Sequence, residues 1–98
     1  MVRHIFLWKL AEGADPESVI QILNELPKKL PGTLSWSLGP HRGEPGSSGG
    51  VWDYGLVCDF ESFAALKRYS EDPFHMQCIE RLLPMFADRA VCDFEILE

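Results

Sequence analysis

The sequence predicts an α+β protein whose elements follow the order β-α-β-β-α-β. Three observations lead to this order. Residues 2–10 alternate with large apolar side chains on both faces, which is typical of a central strand covered on two sides. Capping residues at Asp15 and Ser62 each precede an apolar stripe with helical spacing. Further short segments alternate or run apolar over strand lengths, and they complete the sheet.

The first helix begins soon after the first strand. Gly13 breaks the strand, and Asp15 followed by Pro16 favours a helix start, because Asp accepts backbone hydrogen bonds and Pro fits the first turn. The helix is expected to end near Leu30, where a Pro-Gly pair follows. Its predicted apolar stripe consists of Val19, Ile20, Leu23 and Leu26.

Two more strands are predicted on either side of a long loop. Residues 33–38 alternate strictly between apolar and polar side chains, which indicates a one-sided strand at a sheet edge. Residues 39–50 are rich in Gly and Pro and predict a loop, which lacks the Gly-Lys-Ser/Thr ending of a phosphate-binding loop. Residues 51–59 alternate again and form the third strand.

The second helical segment is predicted as two helices. Ser62 caps the first of them, which runs to about Ser70. Asp72 then caps the next helix, so that His75 falls in its first turn, and Pro84 should interrupt it before the last strand, residues 89–96. The side chains of the first of these helices that are expected to face inward are Phe63, Leu66 and Tyr69.

This order of elements is the ferredoxin-like arrangement. Right-handed crossovers place the helical segments on one face of the sheet and leave the other face bare. That bare face carries Ile5, Leu7 and Val57, which would be an exposed apolar patch on a monomer. We therefore expect a two-fold homodimer whose sheets face each other and cover roughly 800 Å² per partner.

Composition narrows the classes of function. The 98 residues are expected to form one domain, residues 1–98. The net charge of −6 disfavours nucleic-acid binding and an anionic membrane surface, and no apolar run approaches the length of a membrane span. An odd number of cysteines at long spacings predicts small core residues and the cytoplasm rather than disulfides or a metal site. These cysteines are Cys58, Cys78 and Cys92.

Several segments together resemble the stress-responsive dimeric α/β-barrel (Dabb) family. They are the opening V-R-H-I-F-L-W-K-L, the L-P-G before the second strand, D-F-E-S-F-A-A-L, D-P-F-H and the closing D-R-A-V-C-D-F. The resemblance covers nearly the whole chain. It implies a ferredoxin-like subunit paired into a barrel, with a pocket between sheet and helices and no metal or cofactor.

One branch of that family, the plant olivetolic acid cyclases, is similar in its polar residues as well. The resemblance implies catalytic roles for Tyr69 and His75, and a matching first-strand histidine at His4. Where that branch has a further histidine on the third strand, this chain has Tyr54. A neutral His75 would take a proton next to a carbonyl group, while Tyr69 holds the developing enolate oxygen. Alternatively, both residues line a ligand site or only support the fold.

Three functions follow as hypotheses: a module that binds a hydrophobic or aromatic small molecule, a cofactor-free polyketide-cyclase-like enzyme, and an accessory stress protein that acts through its dimer interface.

His41, in the Gly-rich loop, is expected to be solvated. The side chains predicted to line the pocket, or else to fill the core, are Phe6, Trp8, Trp36, Tyr54, Leu56 and Phe86.

Overall fold

A computed structural model describes residues 1–46 and 50–98. Its elements are the strands β1 (Val2–Leu10), β2 (Thr33–Pro40), β3 (Tyr54–Phe60) and β4 (Phe86–Glu95), the helices α1 (Pro16–Lys29), α2 (Phe63–Glu71) and α3 (Pro73–Leu82), and a 3-10 turn (Leu83–Met85). The predicted loop therefore begins at residue 41, and residues 47–49 of it lie outside the described residues.

β1 lies inside a four-stranded antiparallel sheet with the order β2-β3-β1-β4. It pairs with β3 on one side and with β4 on the other, which confirms the predicted central strand. β2 is an edge strand, as expected, and β4 forms the other edge. With α1 between β1 and β2, and α2 and α3 between β3 and β4, this is the predicted ferredoxin-like fold.

α1 begins and ends where the sequence predicts. The Asp15 carboxylate accepts the Glu17 backbone N–H at 3.3 Å, and the helix closes at Leu30. One position of its apolar stripe was predicted wrongly: Ile20 is only half-buried, and Ile22 is buried instead. The buried positions follow the i, i+3, i+4, i+7 spacing of one helix face, and at 3.6 residues per turn position 20 lies about 100° around the helix from Val19, away from that face. The buried side chains are Val19, Ile22, Leu23 and Leu26.

α2 follows a Ser62 cap whose hydroxyl accepts the Ala65 backbone N–H at 3.2 Å. Leu66 and Tyr69 are buried, as predicted. Phe63 was expected to face inward, but it is 52 % exposed, because it is the first residue of the helix and no described element covers it. After α3, Pro84 lies in the 3-10 turn that ends the helical segment, which confirms the predicted interruption.

The helices cover one face of the sheet, which we call the inner face. The opposite face, the outer face, carries the odd-numbered residues of β1 together with their neighbours on β3 and β4. Ile5 lies opposite Val57 and Cys92 there, and these side chains remain at least partly exposed. This agrees with the bare apolar patch that the sequence predicts.

One strong ion pair also lies on the outer face. Arg3 Nε donates to Asp59 Oδ1 at 2.8 Å, and Arg3 Nη2 donates to Asp59 Oδ2 at 3.0 Å. These hydrogen bonds lower the pKa of the Asp59 carboxyl, which is largely buried. The paired geometry keeps the carboxylate charged.

The cysteines divide into two groups. Cys58 and Cys78 are buried, as predicted, and burial raises the pKa of the Cys58 thiol to about 12. Cys92 was predicted as a core residue, but it is exposed, because its edge strand turns it toward the outer face. None of the described helices is both long enough and apolar enough to cross a membrane.

Candidate functional site

A sharp break between α2 and α3 positions a tyrosine and a histidine. Asp72 alone separates the two helices: its N–H donates to the Tyr69 carbonyl at 3.3 Å, and its carboxylate accepts the Phe74 N–H at 2.8 Å. Asp72 thus ends one helix and caps the next. The break brings the rings of Tyr69 and His75 into edge-to-face contact, with centroids 4.8 Å apart.

A second histidine is held by a carboxylate on the neighbouring strand. In the antiparallel pairing of β1 with β4, His4 lies directly opposite Asp93. Asp93 Oδ1 is hydrogen-bonded to His4 Nδ1. The side chains are 16 % and 31 % exposed, respectively. A carboxylate on one ring nitrogen fixes the orientation of an imidazole and leaves the other nitrogen for a second partner.

These groups meet in a cavity of about 410 Å³ between the inner face and the three helices. Most of its wall is apolar, and the histidines, the phenol and a few charged groups interrupt that wall. All three predicted catalytic residues therefore line one cavity. The lining residues are His4, Phe6, Leu23, Leu26, Leu56, Tyr69, Ser70, His75, Met76, Ile79, Glu80, Arg89 and Val91.

The surroundings fix the protonation of the central pair. Burial lowers the pKa of His75, and the nearby His4 lowers it further, against the smaller opposing effects of Asp72 and of the Ser70 backbone. His75 is therefore a neutral imidazole at pH 7. Burial raises the pKa of Tyr69 far above its ordinary value, so the phenol keeps its proton and can donate a hydrogen bond.

The lowered pKa of His75 predicts a pH dependence of stability. The unfolded chain takes up this proton near pH 6.5, but the folded chain does so only at lower pH. The native state should therefore lose stability as the pH falls below about 6.5 toward the folded value. We expect His75→Asn to reduce that loss between about pH 7 and about pH 5, measured as the free energy of unfolding in urea.

His41→Asn is the matched control for this titration. His41 is exposed, its Nε2 lies 3.0 Å from the Gly43 carbonyl oxygen, and it does not line the cavity. This variant keeps His75 and should therefore keep the loss of stability that His75 causes at low pH. Equal slopes for wild type and His75→Asn would contradict the assigned role of His75.

The residues predicted to line the pocket separate into two groups. Phe6 and Leu56 do line the cavity. The other four lie outside it: Trp8, Trp36, Tyr54 and Phe86. Trp8 is fully buried and stacks between Phe6 and Tyr54, at centroid distances of 5.4 and 5.5 Å. Phe86 contacts the same cluster edge-on, 5.6 Å from Phe6.

Trp36 lies toward the β2 edge, where its indole N–H donates to Asn24 of α1 at 2.8 Å. It therefore joins β2 to the helix layer rather than facing the cavity. The aromatic cluster thus fills the core near the end of β1 that carries Trp8. A role for these four residues in ligand binding stays a prediction.

Sequence reasoning missed Asp93 and Arg89. Asp93 lies among acidic residues near the end of the given sequence, and nothing in its local pattern marks it as the partner of His4. The contact depends on strand register, since only the pairing of His4 with Asp93 brings the two side chains together.

Within the described residues, no three His, Cys, Asp or Glu side chains are arranged to hold a metal ion.

Comparisons with known proteins agree with this fold. The family model described as "Stress responsive A/B Barrel Domain" (Dabb) matches residues 2–96. No curated protein sequence matches the chain.

Solved structures resemble it along nearly its full length. A dimeric ferredoxin-like protein of unknown function from Thermobifida fusca shares 28 % identity at a TM-score of 0.79, covering 97 % of this chain and 90 % of that one. A protein from Arabidopsis thaliana reaches a TM-score of 0.89 at 20 % identity, over 100 % and 97 % of the two chains. Hydroxynitrile lyase from Passiflora edulis reaches 0.88 at 19 % identity, over 99 % and 94 %.

Proposed function

This chain belongs to the stress responsive A/B barrel domain (Dabb) family, and we propose that it binds a small, mostly apolar molecule that carries a carbonyl or hydroxyl oxygen. The observation that carries the proposal is the apolar cavity of about 410 Å³ into which Tyr69, His75 and His4 converge. Small-molecule sites are typically clefts of this size, with few polar groups that set the ligand's orientation.

The mouth of the cavity supports the same proposal. Met76 and Val91 line it and are 54 % and 57 % exposed. Exposed apolar side chains at the rim of a cavity lose contact with water when a hydrophobic ligand enters. The ligand's oxygen would accept a hydrogen bond from the Tyr69 phenol, which keeps its proton.

A thermal-shift screen tests this proposal. A ligand present at 100 times its Kd should add about 2.7 kcal/mol to the free energy of unfolding and raise the Tm by more than about 10 °C. Ile79→Trp should abolish the shift, because the larger ring fills the cavity that Ile79 lines. Leu83→Trp, at a 43 % exposed position of the 3-10 turn, is the matched control and should keep it.

Equal shifts in wild type and Ile79→Trp, for every compound that binds, would place binding elsewhere and contradict the proposal.

Cofactor-free proton transfer is the second candidate function. The specific observation in its favour is a neutral His75 beside a protonated Tyr69, with His4 oriented by Asp93 in the same cavity. His75 would accept a proton from carbon next to a carbonyl group. Tyr69 would then stabilise the enolate oxygen by donating a hydrogen bond.

One of the similar structures is an enzyme, the Passiflora edulis hydroxynitrile lyase, although at 19 % identity this likeness establishes the fold alone.

We also propose that two copies pair through their outer faces into a barrel. Ile5, Leu7 and Val57 form a half-exposed apolar strip there, and burying it against a second copy removes it from water. The relatives from Thermobifida fusca and Jannaschia, at 28 % and 27 % identity, are described as dimeric.

The cytoplasm is the proposed compartment, since Cys58, Cys78 and Cys92 are free thiols.

A further inference from the structure

Arg89 gives the cavity a positively charged end. Alternate residues of β4 face the inner side of the sheet, and Arg89, Val91 and Asp93 are three such residues. Their partners on β1 are Trp8, Phe6 and His4. Arg89 and Val91 line the cavity. Within residues 1–46 and 50–98, no carboxylate oxygen lies within 4.0 Å of the Arg89 side chain. Its guanidinium donors are therefore available to a ligand.

The two polar ends of the cavity are separated by an apolar floor. Arg89 marks one end, and the other end is marked by His4, whose partner on β4 is Asp93. Arg89 and Asp93 are four residues apart on one strand, which corresponds to about 13 Å between their Cα atoms. Phe6 and Val91 lie between these ends, opposite each other on β1 and β4. A ligand that spans the cavity would thus meet the histidines at one end, apolar side chains in the middle and the guanidinium at the other end.

The opposite wall carries a competing charge. Glu80 of α3 also lines the cavity, but it is exposed and makes no ion pair within 4.0 Å to a described residue. The net charge of −6 repels an anion at long range. Selection of an acidic ligand must therefore come from a local contact. The planar guanidinium of an Arg side chain can provide it, because it donates two parallel hydrogen bonds to one carboxylate.

We infer that the ligand is an apolar acid: a carbonyl or hydroxyl group at the histidine end, a hydrocarbon middle, and a carboxylate paired with Arg89. This inference rests on the proposed function and narrows its ligand class. Arg89 is then a residue that determines specificity, and Glu80 weakens the binding of the acid because its negative charge repels the ligand's carboxylate in the same cavity.

A pair of probes that differ only in charge tests the inference. 7-Oxooctanoate has a ketone and a carboxylate at the two ends of a short chain, and its primary amide has the same shape without the charge. By calorimetric titration, wild type should bind the acid about tenfold more tightly than the amide. Arg89→Gln should remove this preference while the affinity for the amide stays the same. Glu80→Gln should enlarge the preference.

The matched control is Arg42→Gln, which removes the same charge from an exposed loop position and should leave the preference intact. Equal affinities of wild type for acid and amide, or an unchanged preference in Arg89→Gln, overturn the inference and leave the proposed function standing. Failure of both probes also overturns the inference. The thermal-shift screen, with its own ligands, then decides the proposed function separately.

Discussion

Leu7→Arg is expected to turn the proposed homodimer into a monomer. Leu7 lies on the central strand of the outer face, opposite Gly55 on β3 and Ala90 on β4. A guanidinium without a partner in such an interface costs about 3–5 kcal/mol. Two-fold symmetry places the change in both copies, so the dissociation constant should rise by several powers of ten. Sedimentation velocity over a range of protein concentrations measures it.

Leu83→Arg is the matched control, because it introduces the same charge on the helix side of the molecule at a 43 % exposed position. It should sediment like wild type. Circular dichroism establishes whether each variant is folded. A folded Leu7→Arg protein with the wild-type dimer affinity would show that the outer face is not the interface, and a wild-type monomer would contradict the pairing altogether.

His75→Ala is expected to slow any proton transfer at the cavity by about 10²–10⁴-fold, because it removes the neutral base. Tyr69→Phe should cost about 10²–10³-fold, because it removes the donor to the enolate oxygen and leaves the ring in place. The measurement is deuterium exchange at the carbon next to the carbonyl of 7-oxooctanoate, or of a ligand found by thermal shift, followed by NMR.

The pH profile adds a second test of the base. Exchange by wild type should fall as His75 becomes protonated, which happens below its ordinary pKa of 6.5. Tyr54→Phe is the control for the tyrosine, since Tyr54 lies outside the cavity. If His75→Ala and Tyr69→Phe both exchange within a factor of two of wild type, the cavity binds its ligand without this chemistry.

The fold followed from local patterns in the sequence. The two-sided alternation of β1 predicted a central strand, and the caps at Asp15, Ser62 and Asp72 predicted the helix starts. Errors arose where a side chain's surroundings depend on elements distant in the chain. Cys92 lies in a largely apolar stretch of the chain, but its position on an edge strand leaves it exposed.

The candidate site was predictable only in part, for the same physical reason. Tyr69 and His75 are close in the chain, so the cap between them was enough to bring them together. The contact between His4 and Asp93 spans nearly the whole chain and depends on strand register, which the alternation does not fix. From residue type alone, the aromatic residues could line the pocket or fill the core, and packing around Trp8 decides where they lie.

The alternation of β1 has a consequence for how this chain can change. Phe6 and Ile5 are neighbours in the chain, yet one lies in the wall of the cavity and the other on the bare side of the sheet. Inserting or deleting one residue between Val2 and Leu10 would exchange these two environments for every position beyond it. Substitutions can therefore change one face of this strand at a time, but a change in its length alters the cavity wall and the outer face together.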